Sequence, residues 1–481
     1  SSITMNKLPL IIILLFFTIA GKSQATQTIR GKIIDKETFS PIIGATVLIV
    51  SEKESPQGSS SDIDGKYRID GVTIGRHTLK VKYLGYYEKT LEVVVNSGKE
   101  LILNISLEES MITMKEVEIS ADENGGVKNE MALVSVTSFS VEETDKYAGS
   151  RGDPARMAAN FAGVQGADDS RNDIIVRGNS PLGVLWRVEG IDIPNPNHFA
   201  IAGTSGGPVS ILNNKLMANS DFFTAAFPAE YGNSVAGVFD LKLRNGNNQK
   251  HEFSGQFGFL GTELMAEGPL NKKKGSSYLA AYRYSTLSLF ESFGIKVGTD
   301  AIPAYQDLSF KLNFPLKKGG AVSIFGISGS SDIDIVFSTE KEPNPDLNIY
   351  GENDRDQYFN TKMAVVGLTY IKPLKKNGYW KTTIAGSVEE QKAVHEYFNR
   401  SLSANNLYSL DTIYTILDYR FRQFKTSASS FINKKLSKQS VIKFGFNSDV
   451  FFYDFQDSVL LDKLTVPEWD LRWNYQGSAA L

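Results

Sequence analysis

From residue 253 onward, apolar and polar side chains alternate in a series of long runs. Phe253–Glu267, Tyr278–Phe290, Tyr305–Phe314, Ala321–Ile327, Tyr358–Ile371, Trp380–Val388, Ile413–Phe431 and Val441–Phe455 all carry the pattern. A period of two places successive side chains on opposite faces of an extended strand, so each run has one apolar and one polar face. Asn271–Ser276 and Lys317–Gly320 read as short turns between runs, and Ser338–Asp356 as a long loop. Runs of about ten alternating residues, punctuated by aromatics such as Tyr414, Tyr419, Phe421 and Phe424, are the pattern of transmembrane β-barrel strands. A large soluble β domain is the other architecture that satisfies the alternation. The length of the runs favours the barrel.

Composition narrows the chemistry. The 41 glycines and 11% aromatic residues suit a turn-rich β protein. A mean hydropathy of −0.19 excludes a bundle of membrane-spanning helices but not a barrel, whose inner face is polar. A net charge of −3 supplies no basic field for nucleic acid. With no cysteine there are no disulfides or thiolate metal sites. The four histidines, His77, His198, His251 and His395, are far apart in sequence, so no local metal or cofactor cluster is expected.

The segment preceding the runs has three textures. Met5-Asn6-Lys7 followed by the apolar stretch Leu8–Ala20 has the length of a secretory signal, with cleavage at Ala20 or Ala25. Residues 5–25 are therefore expected to direct export. From residue 26 to 109, short alternating segments at Ile29–Ile34, Val47–Val50, Tyr67–Ile69, Leu79–Tyr83, Leu91–Val95 and Leu101–Leu107 predict a small β-sandwich of about seven strands. Asp64-Gly65, Asp70-Gly71 and Ser97-Gly98 are the expected turns, with Asp64-Gly65 read as a type I′ hairpin turn. Asp62 and Asp64 do not make a calcium loop, because the further oxygen ligands and the closing glutamate are not at their required positions.

Residues 110–128 are acidic and end near Gly125-Gly126, which predicts a solvated linker. Within it Met114, Lys115, Glu116, Val117, Glu118, Ile119, Ser120 and Ala121 alternate apolar and polar side chains. An exposed alternating segment of this kind can add as a strand to the edge of a partner's sheet.

Residues 129–246 hold the most specific motifs. Asp153 and Pro154 predict the N-cap and first residue of a helix over Ala155–Phe161, which gives Arg151-Gly152-Asp153 a structural role. Ile174–Val176, Val184–Val188 and Ile191–Ile193 are short β segments separated by Gly/Asn/Ser/Pro turns, with Pro194 and Pro196 fixing the exit loop. Gly203-Thr204-Ser205-Gly206-Gly207 matches a hydrolase nucleophile motif, but it lacks the strand–turn–helix setting that the chemistry requires, and Pro208 follows at once. No enzymatic activity is expected.

Ile175-Val176-Arg177-Gly178-Asn179-Ser180-Pro181 with Val188-Glu189-Gly190-Ile191 resembles the core of the plug domain of TonB-dependent outer-membrane receptors. Glu189 stands where that family usually has Asp. Phe227-Pro228-Ala229-Glu230-Tyr231-Gly232-Asn233 and Ala236–Leu241 resemble the plug's closing block, with Phe239-Asp240 replacing Ile-Asn. Gly31–Val47, Asp64-Gly65-Lys66-Tyr67 and Leu84-Gly85-Tyr86 resemble the non-catalytic carboxypeptidase-regulatory-like domain of Bacteroidetes-type receptors. Residues 114–121 resemble the TonB box.

The resemblance implies a mostly β protein with an N-terminal β-sandwich, an α+β plug and, over 250–481, part of a transmembrane antiparallel β-barrel. It implies energised import of a scarce or bulky solute, such as a metal chelate, glycan or peptide, across the outer membrane of a Gram-negative bacterium. The partners would be outer-membrane lipid and periplasmic TonB, with the N-terminal domain in the periplasm. Arg177, Gly178, Asn179, Glu189, Gly190, Asp192, Glu230, Tyr231 and Gly232 would form the plug motif. Asn195, Asn197, His198 and Phe199 would lie on a ligand-facing loop. A signalling receptor and a surface-binding β protein without transport are the alternatives. The span after Lys250 holds roughly ten strands, fewer than the about 22 of a plugged transporter, so the sequence is expected to be a C-terminally truncated piece.

Overall fold

The computed structural model describes residues 26–50, 57–110, 136–139, 149–150, 152–167, 170–201, 203–218, 220–258, 261–286, 303–317, 319–343, 352–374, 377–437, 440–460 and 471–480. The expected signal segment and TonB box lie outside them. The chain divides into two compact units, Ser1–Lys36 with Ser40–Asn124 in the first and Glu37–Phe39 with Gly125–Leu481 in the second.

The first unit is a sandwich of two four-stranded sheets. One sheet sets β1 (Thr26–Asp35) between β4 (Lys66–Thr73) and the parallel strands β7 (Leu101–Ile102) and β8 (Ile105–Leu107). The other runs β3 (Gly58–Ser60), β2 (Thr46–Val50), β5 (Gly75–Lys82), β6 (Lys89–Val95). Alternation drives the packing: Tyr67 and Ile69 are buried while Lys66, Arg68 and Asp70 are exposed. Ile29, Ile33, Val47, Leu79, Val81 and Ile105 fill the core. Each such aliphatic side chain contributes about 1.5–3 kcal/mol by leaving water.

Two sequence expectations need correction here. Asp70-Gly71 is no turn but a bulge within β4, where Gly71 takes φ +73° and the register against β1 shifts. Asp64-Gly65 is not a type I′ turn, because only Gly65 of the pair has a positive φ. Instead Gly65 N donates to Asp62 O, and the Asp62 carboxylate accepts from the backbone amides of Asp64 and Lys66. Asp62 caps its own turn. The pattern also missed β3, a Gly-Ser-Ser strand with no apolar signal.

The second unit begins with an α+β plug. Its five-stranded sheet runs β13 (Ile191–Asp192), β12 (Val184–Val188), β17 (Gly237–Leu241), β16 (Ser220–Phe223), β9 (Val136–Phe139), with β12 and β17 parallel. Two small hairpins accompany it: β10 (Val164–Gly166) with β11 (Ile174–Val176), and β14 (Asn197–His198) with β15 (Val209–Ser210). Helix α1 spans Pro154–Ala158, shorter than expected, and Asp153 Oδ1 caps it by accepting from Ala155 N at 2.8 Å. Trp186, Phe239 and Phe222 stack through the centre with ring centroids 4.3 Å apart at each step.

Ten antiparallel strands follow, each paired with the next in sequence. They are β18 (Glu252–Phe257), β19 (Thr262–Asn271), β20 (Ser276–Tyr284), β21 (Ala304–Pro315), β22 (Ala321–Ile335), β23 (Arg355–Leu374), β24 (Gly378–Leu402), β25 (Tyr408–Ser437), β26 (Ser440–Val459) and β27 (Leu471–Ala480). The run Phe253–Glu267, read as one segment, is a hairpin broken at Gly258 and Gly261. β27 was missed, and most strands from β22 on extend past the apolar pattern into polar sequence.

The meander puts the connections 271–276, 315–321, 374–378 and 437–440, all tight, on one rim, while the other rim carries the long connections 284–304, 335–355 and 459–471 beside the short 257–262 and 402–408. Its two faces are inverted relative to a soluble sheet. On β24, Ile384 is 54% exposed while its neighbours Thr383 and Ala385 are 1% and 4% exposed. Val366, Leu368, Phe424, Ile432, Phe444, Phe446 and Phe452 share the exposed apolar face. Glu267, Asp307, Ser309, Thr369, Lys425 and Ser427 are buried on the other. A sheet that exposes its apolar face and covers its polar one is built for lipid outside and polar contacts inside.

Candidate functional site

The plug packs on that face, and the boundary between them buries the charged side chains of Arg187, Glu189, Glu263, Glu267, Asp307, Lys311 and Lys425. Glu189 and Gly190 form the two-residue turn between β12 and β13, both with positive φ, at 54° and 92°. Glycine takes this conformation freely, whereas glutamate is strained in it. The strain has a local return. Glu189 Oε1 accepts from Lys311 Nζ of β21 at 2.7 Å and from Leu243 N at 3.0 Å. Lys311 donates also to Leu243 O, and Thr383 Oγ1 of β24 donates to Glu189 O. Burial alone would push the Glu189 carboxyl up; Lys311 and Lys381 outweigh it and hold it below the usual range.

A second tie is made by Glu230, whose two carboxylate oxygens each lie 2.7 Å from Lys443 Nζ of β26. Its carbonyl accepts from Arg187 Nη1 and Asn447 Nδ2. Arg187 is buried in β12, lies 5.0 Å from the Tyr231 ring centre and donates to Gly190 O. Burial would lower its pKa, but Asp240 and Asp192 outweigh that and raise it. Tyr231 in turn donates to Asp240 Oδ2 at 3.1 Å. Asp192 meets the wall through its carbonyl, which accepts from Lys425 Nζ at 2.6 Å. Further along the boundary, Arg244 grips Glu267 through two nitrogens, and Lys215 and Asn213 share Glu263.

Of the predicted plug motif, Glu189, Gly190, Asp192, Glu230 and Tyr231 come together at this boundary. Arg177 does not join them; with φ 50° it turns toward Thr224 within the plug, at 3.4 Å. Gly178 is left-handed at φ +80°, and Asn179 Nδ2 bonds back to Val176 O. Gly232 has neither a positive φ nor a neighbour within 4 Å of a built Cβ, so its place in the motif has no steric reason here. Sequence reasoning missed Arg187, although an arginine inside the apolar run Val184–Val188 is a signal for a buried ion pair.

The expected ligand-facing loop splits in two. Asn197 and His198 are buried, at 0% and 1% exposed. Asn197 bonds within the plug to Asn172 and Asn195. His198 Nε2 lies 3.0 Å from Asp307 Oδ2 of β21, which also accepts from Arg283 Nε. Phe199 is tied through its backbone amide to Ser331 Oγ of β22. The polar face of the sheet, invisible to local sequence, claims His198 and Phe199, while the plug itself holds Asn197.

Asn195 instead lines a cleft of about 580 Å³ between plug and wall, together with Gly203, Thr204 and Ser205. Leu182, Leu185, Trp186 and Ile193 complete the plug side. The wall side comes from two adjacent lateral rows: Gln391, Phe421 and Phe455 in one, Glu389 and Gln423 in the other. Ser205, the apparent hydrolase serine, donates to Asp173 Oδ1 at 3.2 Å and leads through Pro208 into β15, not into a helix. It anchors a loop.

Residues 29–119 match the family model of the CarboxypepD_reg-like domain. No curated protein sequence matches the chain. Among solved structures, the chain is similar to the pyoverdine outer membrane receptor FpvA from Pseudomonas aeruginosa bound to pyoverdine, at 12% identity and TM-score 0.48 over 70% of this chain and 52% of that one. It is similar to the outer membrane transporter YddB from Escherichia coli at 11% identity and TM-score 0.45, covering 72% and 52%. For the siderophore receptor PirA from Acinetobacter baumannii the values are 14%, 0.41, 69% and 50%. The chain thus spans about half the length of the structures it matches.

Proposed function

We propose that this chain belongs to a TonB-dependent outer-membrane receptor that imports a scarce or bulky solute. The observation that carries the reading is the inverted sheet: its exposed face is apolar, and its polar face is filled by a plug held through Glu189–Lys311, Glu230–Lys443 and Arg244–Glu267. A plugged lumen blocks passive diffusion, so passage requires work on the plug. No nucleotide supply exists in the periplasm, and the sequence carries no P-loop. The work is therefore supplied from outside the chain.

In this reading TonB adds as a strand to Met114–Ala121 and pulls. The rim whose connections are all tight faces the periplasm and the rim that carries the three long ones faces outward, as is usual for bacterial barrels. The cleft at Trp186, Phe421 and Gln423 is the solute-facing part of the plug–wall boundary. The test is deletion of Met114–Ala121 in a transport-competent full-length version. Uptake should vanish while solute binding is retained; uptake that survives the deletion refutes TonB energisation.

A further inference from the structure

The chemistry of the cleft restricts its solute. Its wall rows place Gln391, Phe421 and Phe455 side by side, with Glu389 and Gln423 in the neighbouring row. Phe421 and Phe455 meet edge to face at 5.3 Å, and Tyr419 stacks on Phe421 at 4.8 Å with 14° between the ring planes. Tyr453 abuts Phe455 at 5.2 Å. This is a continuous aromatic surface on the covered face of the sheet.

The polar groups beside it are of one kind. Gln391 donates to Glu389 at 2.9 Å, which leaves its own carbonyl oxygen and the second Glu389 oxygen to accept. Gln423 adds an amide that both donates and accepts. Among the described residues that line the cleft there is no lysine, arginine or histidine, and the one charged side chain is the acid Glu389. Within this lining a polyanionic chelate would meet no cation and would sit beside a carboxylate, which is unfavourable in a partly desolvated site. Hydroxyl groups suit the set, since each donates and accepts in turn. Flat C–H faces suit the rings.

Resting on the transport reading for its location, we propose that the cleft binds a neutral oligosaccharide, one sugar ring lying on Phe421 and Phe455 with its hydroxyls shared among Glu389, Gln391 and Gln423.

The experiment uses the whole chain refolded in detergent and applied to an array of neutral oligosaccharides covering α- and β-linked glucans, mannans, xylans and galactans. Ferric citrate, a ferric catecholate and a library of uncharged peptides form the other arms. At least one neutral glycan should bind, and Phe421→Ala and Phe455→Ala should each weaken it by about tenfold or more. Gln423→Glu, which keeps size and adds charge, separates loss of contact from loss of fold and should also weaken binding. Circular dichroism of each variant guards against misfolding. Binding of a ferric chelate or a peptide with no glycan bound overturns the proposal, as does silence in every arm or a glycan indifferent to all three substitutions. None of these outcomes bears on whether uptake depends on Met114–Ala121, so the two readings fail separately.

Discussion

Glu189 reaches Lys311 across the plug–wall boundary at 2.7 Å from a backbone held in the left-handed region, and both side chains are more than nine-tenths buried. A buried pair of this kind adds little net stability against an apolar pair, yet breaking it leaves an unmatched charge. Glu189→Gln should therefore destabilise the second unit by about 3–5 kcal/mol. Lys311→Met with Glu189→Gln should recover part of the loss. Urea denaturation followed by tryptophan fluorescence measures both, and equal losses in the single and double variants would refute the coupling.

Gly246 leads from plug to sheet, and a Cβ there would overlap the carbonyl oxygen of Tyr278 in β20. Since that oxygen belongs to a ladder, neither side can yield without moving a strand. Gly246→Ala should cost about 1–3 kcal/mol. Gly386→Ala is the control, because nothing lies within 4 Å of its built Cβ. Comparable denaturation midpoints for the two variants would contradict this account.

His198 has its pKa lowered, first by burial, against the opposing pull of Asp307. Between that lowered value and the ordinary value near 6.5, the unfolded chain binds a proton that the folded chain refuses. The contribution of His198 is thus present above about pH 6.5 and is lost as pH falls through the window. His198→Gln should flatten the decline in stability from pH 7.5 to pH 5.5 relative to the unaltered chain. An unchanged slope would show that His198 titrates alike in both states.

Ile384 lies in the middle of the exposed apolar face, laterally between Leu368 and Ala428. If lipid covers that face, Ile384→Arg should oppose insertion by about 2–4 kcal/mol and shift the protein out of the membrane fraction. On a water-facing sheet the same change would raise solubility and leave stability unaltered. Fractionation of cells expressing each form decides between the two.

Local sequence was enough to determine where most strands lie, because alternation, Gly/Asn/Pro turns and the Asp153–Pro154 cap act over a few residues. It erred where a local sign had two meanings. Asp70-Gly71 suits a turn or a bulge, and pairing with β1 selects the bulge. Phe253–Glu267 alternates throughout, and only Gly258 and Gly261 mark the hairpin within it. The ends of β23 to β26 were illegible because ladder pairing, not side-chain pattern, carries those strands into polar sequence.

Tertiary structure alone decided what each face meets. A period of two is the same whether the apolar side looks inward or outward, and it is the plug, seated on Thr383, Lys311 and Lys425, that fixes the polar side as the covered one. The loop of Asn195–Phe199 has the composition of an exposed segment. Asp307 and Ser331, more than a hundred residues away in sequence, bury half of it. Hydrogen bonds and ion pairs across such separations leave no periodic trace, since they depend on which strands the meander brings beside the plug.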